Sequence, residues 1–160
     1  MENNVMMDED TQVGRFLTFA LAEEFYGLEI RHVTEIVVMQ PITPIPETPE
    51  YVKGIINLRG KIIPVIDMRL RFHSPTKPYD ERTCIIVVDI QDIFVGLIVD
   101  GVAEVVTIDE ENIVPPPNYK TGVQNRYIKG IGKVGSDVKL LLDCDKLFLE
   151  GELTNLSTIS

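Results

Sequence analysis

The stretch YVKGIINLRGKIIPVID, residues 51–67, places two runs of apolar, β-branched residues around the short polar sequence Asn57-Leu58-Arg59-Gly60. An Asn-x-x-Gly sequence between two such runs is typical of a β-hairpin, because its ends favour a turn and its flanks favour strands. A hairpin does not by itself require an arginine in the turn. The stretch therefore predicts two paired strands and leaves the role of Arg59 open.

The same pattern returns later in the chain. Residues 51–72 align with residues 127–148 through six identical pairs: Tyr51/Tyr127, Lys53/Lys129, Gly54/Gly130, Ile55/Ile131, Asp67/Asp143 and Phe72/Phe148. Residues 26–37 align with residues 95–106 through five more: Gly27/Gly96, Leu28/Leu97, Val33/Val102, Glu35/Glu104 and Val37/Val106. Two blocks that recur in the same order predict two related β-lobes, each a small closed or nearly closed barrel. Because each barrel alone has a small interior, the lobes are expected to share an apolar interface.

The second copy of the hairpin lacks the arginine. It reads Lys133-Val134-Gly135-Ser136 where the first copy has Asn57-Leu58-Arg59-Gly60. The second hairpin indicates that the fold does not need this side chain. Arg59 is therefore a candidate for a function that only one lobe carries.

Most of the chain outside the repeat also favours strands, and the helical signals are short. Asp67 and Asp143 each stand where a side chain can cap a single helix, over residues 67–72 and 143–148. Residues 31–36 could form one helical turn. The proline-rich segments 40–50 and 109–126 are expected to be packed crossing segments. Either the strand at 15–21 or the C-terminal helix is a candidate to cross between the lobes.

Composition narrows the class of function. The chain has 160 residues and a formal charge of −10, from 25 acidic and 15 basic residues. This charge argues against binding to nucleic acid or to an anionic membrane surface. No catalytic triad, metal-ligand spacing or phosphate-binding loop is present, so we expect neither an enzyme nor a cofactor nor a metal site. Cys84 and Cys144 lack metal or CxxC spacing and are expected to be reduced, as in a cytoplasmic protein.

The sequence predicts a simple domain organisation. Residues 1–13 are expected to form a disordered acidic tail rather than a signal peptide, and residues 151–160 a C-terminal tail. Residues 14–150 are expected to form one domain of two intertwined lobes. No apolar run approaches the length of a membrane span, so no membrane insertion is expected.

The repeat and the hairpin carry a resemblance to a known family. YVKGIINLRGKIIPVIDMR, preceded by FYGLEIRHVTEIV and followed by VGLIVDGVAEVV, resembles the CheW family of bacterial chemotaxis coupling proteins over residues 14–150. The resemblance implies two SH3-like five-stranded β-barrels, a non-catalytic adaptor role, and location at membrane-associated receptor arrays. It also implies two partners, the cytoplasmic tip of a chemoreceptor and the regulatory domain of the CheA histidine kinase, and the possibility of ring assemblies.

In this family the receptor helix lies in an apolar groove between the barrels. The resemblance places the receptor-binding positions on the V.EI segment, on the hairpin and on the matching parts of the second lobe: Val33, Glu35, Ile36, Gly54, Asn57, Leu58, Arg59, Gly96, Gly101 and Val105. Glu35 and Arg59 are the pair expected to meet as an ion pair, which would orient Arg59 towards the receptor.

Other interpretations remain open from the sequence. Glu35 and Arg59 could form an ordinary exposed salt bridge, and Val33, Ile36 and Leu58 could be core residues. Gly54 and Gly130 could serve close approach of the backbone. The same module occurs in CheV and in the CheA regulatory domain, but 160 residues leave no room for phosphotransfer, ATPase or receiver domains, which favours a stand-alone adaptor. A small barrel that binds a ligand or nucleic acid is a further alternative.

Overall fold

A computed structural model describes residues 13–116 and 126–159. The described chain is mostly β, as predicted. Its strands are β1 (Arg15–Leu21), β2 (Glu24–Glu29), β3 (Val33–Val38), β4 (Val52–Leu58), β5 (Lys61–Asp67), β6 (Cys84–Ile90), β7 (Ile93–Val99), β8 (Gly101–Thr107), β9 (Ile113–Val114), β10 (Ile128–Val134) and β11 (Asp137–Leu142). The helices are α1 (Met68–Arg71) and α2 (Glu150–Ile159), and short 3-10 turns lie at Ile30–His32, Glu110–Asn112 and Cys144–Lys146.

The strands form two sheets, which confirms the predicted two-lobe fold. The first lobe has the strand order β3-β6-β7-β5-β4, and the second has the order β8-β1-β2-β11-β10-β9. The SH3-like lobes therefore have five strands in the first lobe and five in the second, with the two-residue strand β9 added at its edge.

The two lobes exchange hairpins. The β1–β2 hairpin lies between β8 and β11, and the β6–β7 hairpin lies between β3 and β5. Each hairpin pairs antiparallel on one side and parallel on the other. The N-terminal strand thus crosses into the lobe that is built mainly from the later half of the chain.

Apolar side chains form three clusters in this architecture. The largest joins the two sheets and includes Leu17, Leu28, Ile86 and Leu97, all of which are buried. Smaller clusters fill the interiors of the first and second lobes. The shared interface expected from the repeat is therefore the main core of the protein.

The hairpin predicted for residues 51–67 is present. Strands β4 and β5 pair from Val52 to Asp67, and a two-residue turn joins them at Arg59 and Gly60. Both turn residues have positive φ, +54° and +86°, as a type I′ turn requires. The Asn57 Oδ1 atom accepts a hydrogen bond of 2.8 Å from the Gly60 amide and fixes the turn.

The predicted helix caps are confirmed, and one helical prediction is wrong. Asp67 caps α1 by accepting hydrogen bonds from the Arg69 and Leu70 amides, and Asp143 caps the turn at Cys144–Lys146. Residues 33–36, however, belong to strand β3, with only a 3-10 turn before them. Pairing of this β-branched segment with β6 outweighs the weak local helical preference.

The segments outside the repeat also pack. Thr43 in the proline-rich segment 40–50 forms a bridge with Ile55, and Ile42 packs on the interior of the first lobe. Of the segment 109–126, residues 117–125 lie outside the described residues. The C-terminal segment differs from the expected tail, because residues up to 159 form α2 and bury Leu153 and Leu156 in the main core.

Candidate functional site

One of two exposed apolar surfaces beside the shared core lies on the edge strand β3. Ile36 pairs directly with Ile86, and Ile86 belongs to the core cluster between the two sheets. Directly paired side chains lie on the same face of a sheet, so Ile36 faces the second lobe. Ile36 is nevertheless 44% exposed and Val38 is 74% exposed, and among the described residues no further strand pairs with this edge. Strand β3 therefore carries an open apolar face.

The second of these surfaces lies on the edge strand β8. Val105 pairs with Leu17, which also belongs to the core cluster between the sheets. Val105 is 42% exposed and aligns with Ile36 in the internal repeat. The two lobes thus present equivalent apolar side chains at the two edges of the shared core.

The two edges meet at Cys84. Cys84 pairs with Val38 on one side, and the backbone of Val102 in β8 lies beside its thiol on the other. Burial raises the pKa of this thiol, while the Val102 backbone acts in the opposite direction. We call the surface formed by Val33, Ile36, Val38, Cys84, Val102 and Val105 the inter-lobe groove.

The predicted contact between Glu35 and Arg59 is confirmed. The Arg59 guanidinium donates to the Glu35 carboxylate, and their side chains are 69% and 29% exposed. Glu35 pairs with Val87, which lies in the interior of the first lobe. The ion pair therefore sits at the open end of the first lobe, on the opposite face of β3 from Ile36.

The backbone of Arg59 has a positive φ. Residues other than glycine rarely adopt this conformation, and the second lobe has Gly135 with φ +61° at the matching position. The first lobe thus keeps an arginine where glycine fits the backbone better.

Three of the predicted residues support the site from inside the fold. A Cβ atom on Gly54 would lie 2.1 Å from the Thr43 carbonyl oxygen, and φ is +145° there. A Cβ atom on Gly96 would lie 2.8 Å from the Ile85 and Val65 side chains, and Leu58 is buried in the first lobe. These three residues belong to the packing of the barrel.

The other predicted positions lie at or near the surface of the site. Val33 is partly buried against the main core, and Asn57 holds the hairpin turn through its hydrogen bond to Gly60. Gly101 begins β8, where a Cβ atom would lie 3.5 Å from the Arg82 carbonyl oxygen. The predicted set therefore divides into the inter-lobe groove, the Arg59 hairpin and the interior glycines.

Sequence reasoning missed two residues of the site. Lys61 and Phe94 line a cavity of about 230 Å³ together with Glu35, Arg59 and the buried Leu58 and Ile63. The Lys61 Nζ atom lies 3.5 Å from the centroid of the Phe94 ring. Strands β5 and β7 bring these residues together by parallel pairing. No short sequence pattern predicts this pairing.

The positions of the His, Cys, Asp and Glu side chains determine whether the described residues can hold a metal ion. Over 13–116 and 126–159, no group of three His, Cys, Asp or Glu side chains is arranged to hold a metal ion.

A larger cavity of about 710 Å³ on the second lobe contains a Lys129–Glu29 ion pair beside Phe16, Ile108 and Leu141. Burial lowers the pKa of Lys129. In the same ranges, no helix has the length and apolar character that a membrane span requires.

Comparison with known proteins identifies the family. The family model for the CheW-like domain matches residues 15–152. The chemotaxis protein CheW of Treponema pallidum is 38% identical over 156 residues, which cover 95% of this chain and 90% of that protein. The CheW of Klebsiella aerogenes is 37% identical over 145 residues, covering 91% and 87%.

A solved structure agrees with this match. The scaffolding protein TtCheW from Thermoanaerobacter tengcongensis superposes with a TM-score of 0.80 at 44% identity, over 87% of this chain and 94% of that one. The fold, the repeat and the hairpin with its Arg59–Glu35 pair are those expected from the resemblance. The chain belongs to the CheW-like family.

Proposed function

We propose that this protein is a non-catalytic chemotaxis adaptor that couples the cytoplasmic tips of chemoreceptors to the CheA histidine kinase. The observation that carries the proposal is the inter-lobe groove, an open apolar surface between two edge strands in a chain of the CheW-like family. Its relatives are named chemotaxis and scaffolding proteins, which supports the same role.

The groove suits a helical partner. An amphipathic helix binds by burying its apolar face in a hydrophobic groove, with polar contacts at the edges. Ile36, Val38 and Val105 offer the apolar contacts, and Arg59 offers a charged group at the end of β3. The tip of a chemoreceptor is the helical partner that the family resemblance implies.

The kinase is the second proposed partner. An adaptor has to bind both proteins at once, so the kinase contact must leave the groove free. The protein would then act in the cytoplasm at receptor arrays by holding its partners together, without chemistry of its own.

A direct test combines the purified chain with a chemoreceptor tip fragment and with the CheA regulatory domain. Titration calorimetry is expected to show binding to each partner, and size-exclusion chromatography is expected to show a complex of all three. Binding to neither protein, or tight binding to single-stranded DNA instead, would contradict the proposal.

A further inference from the structure

The cavity at the open end of the first lobe contains a cation that the ion pair does not neutralise. Arg59 and Glu35 are paired, so together they contribute no net charge. Lys61 lies over the Phe94 ring in the same cavity and forms no ion pair with any residue of the described ranges. The net charge of the side chains that line this cavity is therefore positive, and it comes from Lys61.

Asp92 does not cancel this charge. It lines a neighbouring surface cavity with Lys61, but the ion pairs of the described residues include none between its carboxylate and the Lys61 Nζ atom. The ammonium group instead rests 3.5 Å from the Phe94 ring centroid, where the negative face of the ring holds it. The lysine is thus positioned by an aromatic ring and keeps its charge available for a ligand.

The second lobe lacks this arrangement. In the repeat, Asp137 stands at the position of Lys61 and Gly135 at the position of Arg59. Lys139 lies 4.3 Å from the Phe25 ring centroid there, but Lys139 is only 7% exposed. Within the ranges 13–116 and 126–159, the matching hairpin of the second lobe therefore has no counterpart of the Arg59 and Lys61 cations.

The size and lining of the cavity define what it can hold. Its volume of about 230 Å³ is below the range of roughly 300–1,000 Å³ found for small-molecule sites. Leu58 and Ile63 offer apolar contacts below, and Arg59 and Lys61 offer cations at the opening. This combination fits a single side chain with a short apolar stem and a carboxylate end.

We propose that this cavity receives a glutamate or aspartate side chain of the helical partner that lies along β3, and that Lys61 sets the preference for it. The inference rests on the proposed function, because the partner helix is the receptor helix of the adaptor model. It adds a specificity-determining residue, Lys61, and the chemistry of the partner side chain that Lys61 selects.

The test measures binding of the full chain to a chemoreceptor tip fragment at low and high salt. Lys61→Met keeps the packing on Phe94 and removes the charge, Lys61→Arg keeps the charge, and Lys53→Met is the control at an exposed lysine of β4. Lys61→Met is expected to weaken binding about three- to tenfold at low salt, because it removes one charge-assisted contact. The difference should shrink at high salt, and Lys61→Arg and Lys53→Met should bind like the wild type.

A second measurement separates this inference from the proposed function. Propionate and its neutral counterpart propionamide are titrated into isotope-labelled protein, and the amide shifts of residues 59–61 are followed. If the tip fragment binds but Lys61→Met binds it as tightly as the wild type, the inference is overturned and the proposed function stands. If the tip fragment does not bind, the proposed function fails. In that case, amide shifts that propionate induces in the wild type but not in Lys61→Met would support the carboxylate site. If propionate induces no such shifts, the inference about Lys61 is overturned together with the proposed function.

Discussion

Ile36 and Val105 occupy equivalent positions in the two copies of the repeat, and their side chains are exposed to almost the same extent, 44% and 42%. Each stands on an edge strand and faces the core that the two lobes share. Two lobes with exchanged hairpins thus place two matching apolar edges on either side of one groove. This relationship connects the internal repeat of the sequence to the proposed binding of a helix.

Replacing both groove residues tests their contribution to binding. The double variant Ile36→Thr/Val105→Thr keeps β-branched side chains, which suit strands, and removes apolar contact area from the groove. We expect binding of a chemoreceptor tip fragment to weaken roughly tenfold, since central apolar contacts dominate such interfaces. Titration calorimetry gives the affinity, and thermal melting should show little change because both side chains are exposed.

The matched control for the groove is Val138→Thr. Val138 is 53% exposed on β11 and lies outside the inter-lobe groove. It should bind the tip fragment with wild-type affinity. Equal losses of affinity in Val138→Thr and in the groove variant would show that any exposed valine-to-threonine change weakens binding, and would contradict a specific role for the groove.

Arg59 should contribute to binding and little to stability. In Arg59→Asn the asparagine can adopt the positive φ that this turn position requires, and Asn-Gly is a favoured type I′ sequence. Loss of an exposed ion pair costs about 0–1 kcal/mol, which the better turn residue offsets. We expect tip-fragment binding to weaken about threefold or more, with the free energy of unfolding from urea denaturation unchanged within about 1 kcal/mol.

The control for this variant is Gln91→Asn, which changes another non-glycine residue with positive φ in a hairpin of the same lobe. It should alter neither binding nor stability measurably. A loss of several kcal/mol in Arg59→Asn with unchanged affinity would assign Arg59 a purely structural role.

Gly54 should be essential for the fold. A Cβ atom there would lie 2.1 Å from the Thr43 carbonyl oxygen, and this backbone contact cannot relax without breaking the Thr43–Ile55 bridge. We expect Gly54→Ala to lower the free energy of unfolding by at least about 3 kcal/mol, measured by urea denaturation. Gly151→Ala is the contrast, because Gly151 lies in α2 with no atom within 4 Å of the new Cβ. It should raise stability by about 0.5–1 kcal/mol.

The C-terminal helix should be held by a charged network that depends on pH. Both Nη atoms of Arg71 donate to the Glu152 carboxylate at 2.9 and 2.8 Å, and the Tyr51 hydroxyl donates to it at 2.7 Å. Burial acts to raise the pKa of the Glu152 carboxyl. Hydrogen bonds from the Leu149 amide, Arg71 and Tyr51 outweigh burial and hold this pKa below its ordinary value of 4.5.

A lowered pKa in the folded state means that the network stabilises the fold above pH 4.5 and that this stability is lost as the pH falls through the lowered pKa. Glu152→Gln should therefore be less stable than the wild type at pH 7, and the difference should shrink towards acidic pH. Denaturation measured between pH 7 and pH 3 checks this. Glu150→Gln, on the same helix, should keep the pH dependence of the wild type. A parallel loss of stability in Glu152→Gln at every pH would contradict the account.

The sequence predicted those parts of the fold that depend on local patterns. The hairpin at Arg59-Gly60, the cap at Asp67 and the repeat that produces two lobes all have short signatures. The exchange of hairpins could not be predicted with the same certainty, because the pattern of a strand such as β1 fixes its faces and not its partners. Helix α2 was not predicted, because its two buried leucines stabilise it by packing against the core and the sequence alone does not show that contact.

The candidate site divides in the same way. The repeat singled out Arg59 because only one lobe has it, and the family resemblance added Glu35 as its expected partner. Lys61 and Phe94 were missed, since their contact depends on parallel pairing of β5 with β7 across a long connection. Close approach of the backbone at Gly54 was one of the interpretations that the sequence offered, whereas the close packing of Gly96 depends on its neighbouring strands.

The most direct test of the groove is an amide-shift map. Isotope-labelled protein is titrated with a chemoreceptor tip fragment, and the shifted backbone amides are assigned. We expect the largest shifts in β3 and β8 and at Arg59, along the two edges of the groove. Shifts confined to the far side of the second lobe, around the cavity that contains Lys129, with β3 and β8 unaffected, would contradict it.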